Sequence, residues 1–359
     1  MNALERLARP EILALEPYSH AAWRPALTRL HANEAPWRPA GDRSDAGLNR
    51  YPEPQPAALV ERLAALYGVG ADRVLVGRGS DEAIDVLSRI YLRAGEDAIL
   101  HCPPTFGMYR VAARIQGADV VDVPLRREDG WRLDPERVLA AWTPRVKLVY
   151  LCSPNNPTGN RLDAGAIDAI DAIAGALDGR AVVVIDEAYA EWSGGPSILP
   201  RIDRYATVAV LRTLSKAYAL AGARIGALLA PPALIGIARR VIPPYALAQP
   251  TIEAALAALA PGALAATRTR LATLLAERDR VARELARSPW VATVWPSDAN
   301  FLMIDCVDPE ELMRRSLAAG FILRDLRAHP SLPRSLRVTI GSREQNDALL
   351  ASLAPEARR

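Results

Sequence analysis

At 359 residues the chain is longer than a single hydrophobic core usually serves, so two packed bodies are expected. Half of the residues are apolar and 24% are charged, the profile of an ordinary soluble enzyme. Its 44 basic and 41 acidic residues are interspersed and leave a net charge of +3, with no basic run or basic-aromatic stripe, which argues against a nucleic-acid partner.

Residues 1–43 are rich in prolines and aromatics (Pro10, Pro17, Tyr18, Trp23, Pro25, Pro36, Trp37, Pro39) and read as an N-terminal arm. From 44 to 245 short apolar runs alternate with helix-period segments. Strands are predicted at 74–76, 98–100, 120–123, 147–151, 181–185, 207–211 and 225–229. Helices are predicted between them at 56–67, 81–93, 107–116, 134–141 and 163–177. Several strands are apolar at consecutive positions, as expected when both faces are covered. The rhythm predicts a large α/β domain around a mostly parallel sheet, with ligands gathering beyond the carboxyl ends of its strands. Past the break at 241–250, Ala/Leu-rich helices at 252–260 and 263–287, strands near 291–294, 300–305 and 336–340, and a last helix from 343 predict a smaller α/β domain spanning 246–359.

Cys102, Cys152 and Cys306 are far apart and form no CxxC pair, and His20, His31, His101 and His329 are equally scattered. Neither a disulfide framework nor a metal site is expected, and a reducing compartment is. The N-terminus has no apolar stretch of the secretory kind, and the apolar segment 217–238 is broken by Arg224 and Pro231-Pro232. The cytoplasm is the expected location.

Positive charge is distributed unusually: 42 arginines and only two lysines, Lys147 and Lys216. A guanidinium stays protonated and is a poor nucleophile, whereas a lysine amine can lose its proton and attack a carbonyl. Lys147, leading into a strand, reads as a surface charge. Lys216, between an apolar strand and a small-residue segment, is a candidate for chemistry.

Four strand-following loops carry residues that packing does not ask for. In VGRGSDEAIDVL (76–87) a Gly77/Gly79 turn opens a helix, giving either a phosphate seat or simply a helix capped by Ser80 or Asp81. The third glycine of a dinucleotide fingerprint and the GxxxxGK[ST] pattern are both missing. LCSPNNPTGN (151–160) places Asn155 and Asn156 at the sheet edge. VVVIDEAYAEW (182–192) ends an apolar strand in Asp186 and Glu187, costly there unless each meets a partner: a helix N-terminus for Asp186, an arginine for Glu187, or a ligand. The TLSK loop (213–216), followed by Arg224, is the fourth.

Asn156, Asp186 and Lys216 lie 30 residues apart, about one βα unit, so they can top successive strands above one crevice. A phosphate seat, a buried carboxylate and an unusual lysine together describe a pyridoxal-phosphate pocket. The carboxylate keeps the pyridine nitrogen protonated and the lysine holds the aldehyde.

These segments carry a family resemblance. RYPEPQP (50–56), GRGSDE (77–82), CPPTFGMY (102–109), SPNNPTG (153–159), DEAY (186–189), LRTLSKAYALAGARIG (211–226), ILRD (322–325) and LRVTIGSREQN (336–346) resemble class II, fold-type-I, pyridoxal-phosphate-dependent aminotransferases. RYPEPQP and CPPTFGMY resemble the histidinol-phosphate branch. The likeness runs from about residue 18 to 346 in the family's order and spacing.

The resemblance implies that Lys216 carries the cofactor as a Schiff base and that Asp186 pairs with its ring nitrogen. Asn156 and Tyr189 would bond the ring 3-oxygen, and Phe106 would stack on the ring where many relatives have Tyr. Gly79, Ser80 and Asp81, with Ser215, Arg224 and more weakly Thr213, would hold the phosphate. Tyr51 would reach it from a second subunit, making a homodimer obligatory. Arg324 and Arg337, helped by Tyr18 and Asn156, would bind the anionic end of the substrate. The activity implied is transfer of the amino group of histidinol phosphate to 2-oxoglutarate, giving imidazole acetol phosphate and glutamate in histidine biosynthesis. The alternatives on one scaffold are an aromatic amino acid aminotransferase and an O-phospho amino acid decarboxylase.

Overall fold

The structure is a computed structural model that describes residues 1–18, 27–162 and 168–354. His20, Trp23, Pro25 and residues 163–167 of the helix predicted at 163–177 lie outside the described residues.

Among the described residues the larger sheet has seven strands: β1 (Val74–Gly77), β2 (Ala98–His101), β3 (Asp119–Asp122), β4 (Val146–Cys152), β5 (Val182–Asp186), β6 (Val208–Thr213) and β7 (Gly226–Leu229). Their order is β1-β7-β6-β5-β4-β2-β3. The run from β6 to β3 is parallel, whereas β7 is antiparallel to both β6 and β1. The consecutive apolar positions have a direct cause. Val183 and Ile185 enter one core layer with Val149, Leu151, Val208 and Val210, while Val182 and Val184 enter the opposite layer with Leu148, Tyr150, Ala209 and Leu211. Central strands covered on both faces leave little room for a solvated side chain, whereas Asp119 and Asp122 stand exposed on the edge strand β3.

The covering helices are α1 (Ala3–Leu7), α2 (Pro10–Leu13), α3 (Ala57–Tyr67), α4 (Ser80–Tyr91), α5 (Met108–Ile115), α6 (Pro135–Ala141), α7 (Asp168–Leu177), α8 (Pro232–Ala238) and α9 (Gln249–Ala258). Leu4, Ala8 and Ile12 from the N-terminal segment are buried in the second of the two core layers, and Ile252 and Ala255 of α9 in the first. The smaller body carries α10 (Pro261–Leu285), β8 (Val291–Val294), β9 (Phe301–Cys306), α11 (Pro309–Ala318), β10 (Arg324–Asp325), β11 (Ser335–Thr339) and α12 (Arg343–Ser352). Its antiparallel sheet runs β10-β11-β9-β8, and Leu302, Ile304, Leu336 and Val338 meet Val281, Leu285, Leu312 and Leu349 from its helices.

Two polar seams tie the second sheet to the first body. Arg127 Nη2 lies 2.7 Å from Asp305 Oδ2, which also accepts from Trp295 Nε1 at 2.6 Å. The Asp298 N–H donates to the Gly159 carbonyl at 2.7 Å, so the small body docks on the SPNNPTG loop. That docking is what brings β11 to the ends of β4 and β5. No single described helix is long and apolar enough to cross a membrane.

Candidate active site

Because β4, β5 and β6 are parallel neighbours, their carboxyl ends share one edge, and the three residues spaced along the sequence meet there. Asn156, Asp186 and Lys216 line one cavity of about 240 Å³, together with Ser80, Asp81, Phe106, Tyr189, Thr213, Ser215, Arg224 and Arg337. Cys152 and Ala188 line it as well and were not expected.

Asp186, the last residue of β5, is 2% exposed. Burial pushes its carboxyl up to about 6, against the hydrogen bonds it accepts from Tyr109 Oη at 2.6 Å and the Ala188 N–H at 3.0 Å. No ion pair neutralises it among the described residues, so it is a buried anion site facing a cavity. A protonated ring nitrogen satisfies that need. Glu187, by contrast, points away and pairs with Arg212 at 3.4 Å, the arginine partner the sequence allowed for.

The phosphate seat is built by close backbone approach. Gly79 is the N-cap of α4 at φ 78°, and no side chain caps the helix, so neither Ser80 nor Asp81 acts as the cap. A Cβ on Gly79 would stand 2.7 Å from Arg224 Nη2, and one on Gly226 would run into the backbone of Gly79 and Ser80. Arg224, itself at φ 55°, bonds Asp81 Oδ2 at 3.0 Å. Thr213 Oγ1 accepts from the Ser215 N–H at 3.1 Å, fixing the loop that presents Ser215. Uncapped helix N–H groups beside a guanidinium and a hydroxyl suit a phosphate.

Lys216 is half-buried, and its Nζ lies 5.7 Å from the centre of the Tyr189 ring. Burial, with the nearby charges of Arg337 and Arg224, lowers its pKa, which favours the neutral, nucleophilic amine. Lys147 instead donates to the Pro144 carbonyl at 2.8 Å on the far side of β4 from this chemistry.

The two adjacent asparagines divide their work. Asn155 is fully buried, donating to the Pro104 carbonyl at 2.8 Å and to Thr158 Oγ1 at 2.7 Å while accepting from Thr105 Oγ1 at 2.8 Å. It pins the loop to the segment bearing Phe106. Asn156 is the one that faces the cavity, where its Oδ1 accepts from Arg337 Nη1.

Arg337 and Arg324 are register partners on β11 and β10. Arg324 lines a second cleft, of about 550 Å³, that shares Phe106, Asn156 and Arg337 with the first. Tyr18 lies in a separate groove with Glu53, Pro54 and Arg239. Tyr51 stacks on Tyr245 with ring centres 4.6 Å apart and does not line the cavity of its own chain. Tyr109, in the first turn of α5, is the contact that sequence reading missed, although CPPTFGMY places it three residues after Phe106.

A seven-stranded, mostly parallel sheet with a lysine and a buried carboxylate at adjoining strand ends is the fold-type-I aminotransferase arrangement. Residues 27–353 match the family described as aminotransferase class I and II, and the chain belongs to that family. Within it, the chain is 47% identical over 354 residues to the histidinol-phosphate aminotransferase of Stenotrophomonas maltophilia (strain R551-3), covering 97% of this chain and 96% of that protein. It is likewise 47% identical over 352 residues to the histidinol-phosphate aminotransferase of Xanthomonas euvesicatoria pv. vesicatoria (strain 85-10), covering 97% and 96%. Among solved structures, the histidinol-phosphate aminotransferase of Sinorhizobium meliloti in complex with pyridoxal-5'-phosphate superimposes with a TM-score of 0.75 at 29% identity, over 85% of this chain and 82% of that one.

Proposed function

We propose that the protein is a pyridoxal-phosphate-dependent histidinol-phosphate transaminase, moving the amino group of histidinol phosphate to 2-oxoglutarate. The observation that carries this reading is the pair of arginines, Arg324 and Arg337, set beside a cavity that holds Lys216 and the buried Asp186. Two arginines at register-paired positions of one cleft, whose carboxylate Asp325 is already paired with Arg327, suit a doubly charged phosphate monoester.

When bound, pyridoxal phosphate supplies an aldehyde that condenses with amines and a ring that accepts the electron pair left by a departing α-proton. The residues present fit it. Lys216 would be the amine that holds the aldehyde, and its free amine would take up the substrate's α-proton as general base. Asp186 holds the proton on the ring nitrogen. Asn156 and Tyr189, which line the cavity, would bond the 3-oxygen, and Phe106 would cover the ring. Gly79, Ser80 and Asp81 through their backbone, with Thr213, Ser215 and Arg224, hold the phosphate. Arg337 and Arg324 orient the substrate's anionic end, and 2-oxoglutarate then takes the amino group in the second half of a ping-pong cycle.

The same reading makes the active form a homodimer in which Tyr51 serves a neighbouring cavity. Large apolar side chains left open along the N-terminal segment support this, with Leu30 92% and Trp37 81% exposed. The three cysteines, all free and buried, fit the reducing cytoplasm.

A coupled assay tests the reading: histidinol phosphate with 2-oxoglutarate, run beside phenylalanine and phosphothreonine. Keto-acid-dependent transfer with the highest kcat/KM for histidinol phosphate is expected. Preference for phenylalanine, or carbon dioxide release from phosphothreonine, overturns it.

A further inference from the structure

Building on the histidinol-phosphate reading, we propose that His329 is a third ligand of the donor substrate's phosphate, acting with Arg324 and Arg337. It sits in the connection between β10 and β11 and lines the same cleft as both arginines. The turn that carries it is tied down: its N–H donates to the Leu326 carbonyl at 3.0 Å, and its own carbonyl accepts from the Leu332 N–H at 2.9 Å.

The ring is set in one tautomer. Nδ1 accepts from the Ser331 N–H at 3.2 Å, so the neutral imidazole carries its proton on Nε2. Nε2 has no partner among the described residues. The carboxylate whose charge His329 feels, Asp122, is already held by Arg110 Nη2 at 2.5 Å and by His101 Nε2 at 2.7 Å. Asp325, the carboxylate lining the cleft, is likewise taken, by Arg327 at 2.9 Å. The cleft is thus lined by two arginines and one histidine whose Nε2 is unengaged among the described residues, and its carboxylate, Asp325, is already paired.

That donor set matches the geometry of one anion better than another. A carboxylate presents two oxygens in a plane, which a pair of guanidiniums can satisfy. A phosphate monoester presents three terminal oxygens in a pyramid, and a donor from a third direction serves the oxygen the arginines leave. His329 therefore separates phosphate-bearing donors from simple amino acids that enter the same cavity, such as glutamate in the second half-reaction.

The test uses holoenzyme and three readouts: KM for histidinol phosphate, KM for glutamate, and inhibition by inorganic phosphate competing with glutamate. His329→Ala is expected to raise KM for histidinol phosphate and Ki for phosphate about tenfold, the size of one hydrogen bond to a charged group. KM for glutamate should move less than about threefold, and His329→Gln, which keeps an N–H donor, should recover most of the loss. Unchanged constants overturn the proposal. So does an equal rise for histidinol phosphate and glutamate, which makes His329 merely a prop of its turn. A wild-type enzyme that refuses histidinol phosphate removes the functional reading instead, and the phosphate Ki of His329→Ala then decides the role of His329 by itself.

Discussion

The hydroxyl of Tyr109 donates to Asp186 Oδ2 at 2.6 Å where both residues are buried. Tyr109 is held for this by stacking on Tyr150, with ring centres 4.5 Å apart and planes 8° from parallel. Burial and the neighbouring Asp186 charge push its phenol well above the ordinary range, so it acts only as a donor. It steadies the carboxylate on which the electron-accepting ring depends, without touching substrate.

Tyr109→Phe leaves that carboxylate one donor short. A lost hydrogen bond to a buried charged acceptor costs about 2 kcal/mol. The variant should keep its fold, unfold at lower urea concentration, and lose about tenfold in kcat with little change in KM. An unchanged kcat would mean that the Ala188 N–H alone orients Asp186.

The pH dependence of stability follows from Asp186 itself. Its folded pKa of about 6 lies above the ordinary 3.8, so in the cofactor-free protein its contribution is full below about pH 4 and is lost as pH rises through 6. Two pH units correspond to ~3 kcal/mol. The cofactor-free wild type should therefore lose up to ~3 kcal/mol relative to Asp186→Asn between pH 4 and 8, measured by urea unfolding. A difference that stays flat across this range contradicts the assignment. With cofactor present, Asp186→Ala should still bind it but turn over ~100-fold more slowly, as when one charge-stabilising contact is removed from a transition state.

Gly226→Ala tests the phosphate seat. The added methyl group would meet the backbone of Gly79 and Ser80, where α4 begins. Overpacking of this kind costs about 1–3 kcal/mol. Pyridoxal-phosphate affinity, followed by absorbance titration, should fall about tenfold or more. Wild-type affinity would show that the start of α4 does not bear on the cofactor.

Much of this was legible in the sequence because two signals are strong. Strands covered on both faces must be apolar at every position, and a lone functional lysine stands out in a protein that otherwise uses arginine. The 30-residue spacing of Asn156, Asp186 and Lys216 then follows from crossovers between parallel strands, over α7 in the first interval and through the short 3-10 turns Ala190–Trp192 and Leu199–Arg204 in the second. Other features left weaker traces. Pro231 and Pro232 read as a break, yet Pro232 sits at the first turn of α8, where its missing N–H costs nothing. Helix α11 announces itself only by Asp308 capping Glu311, since Leu312 is one of few apolar residues it buries. The reversed direction of β7 has no sequence marker. β10 is two residues long, and among 42 arginines nothing local marks Arg324 or Arg337, which only the family resemblance singled out.

The most direct measurement is hydride reduction of the purified holoenzyme followed by peptide mapping, with Lys216→Arg as the comparison. Visible absorbance in the wild type, a single pyridoxyl modification at Lys216, and loss of both colour and turnover in Lys216→Arg are expected. Modification at Lys147 instead, or a Lys216→Arg enzyme that keeps its colour and activity, would contradict it.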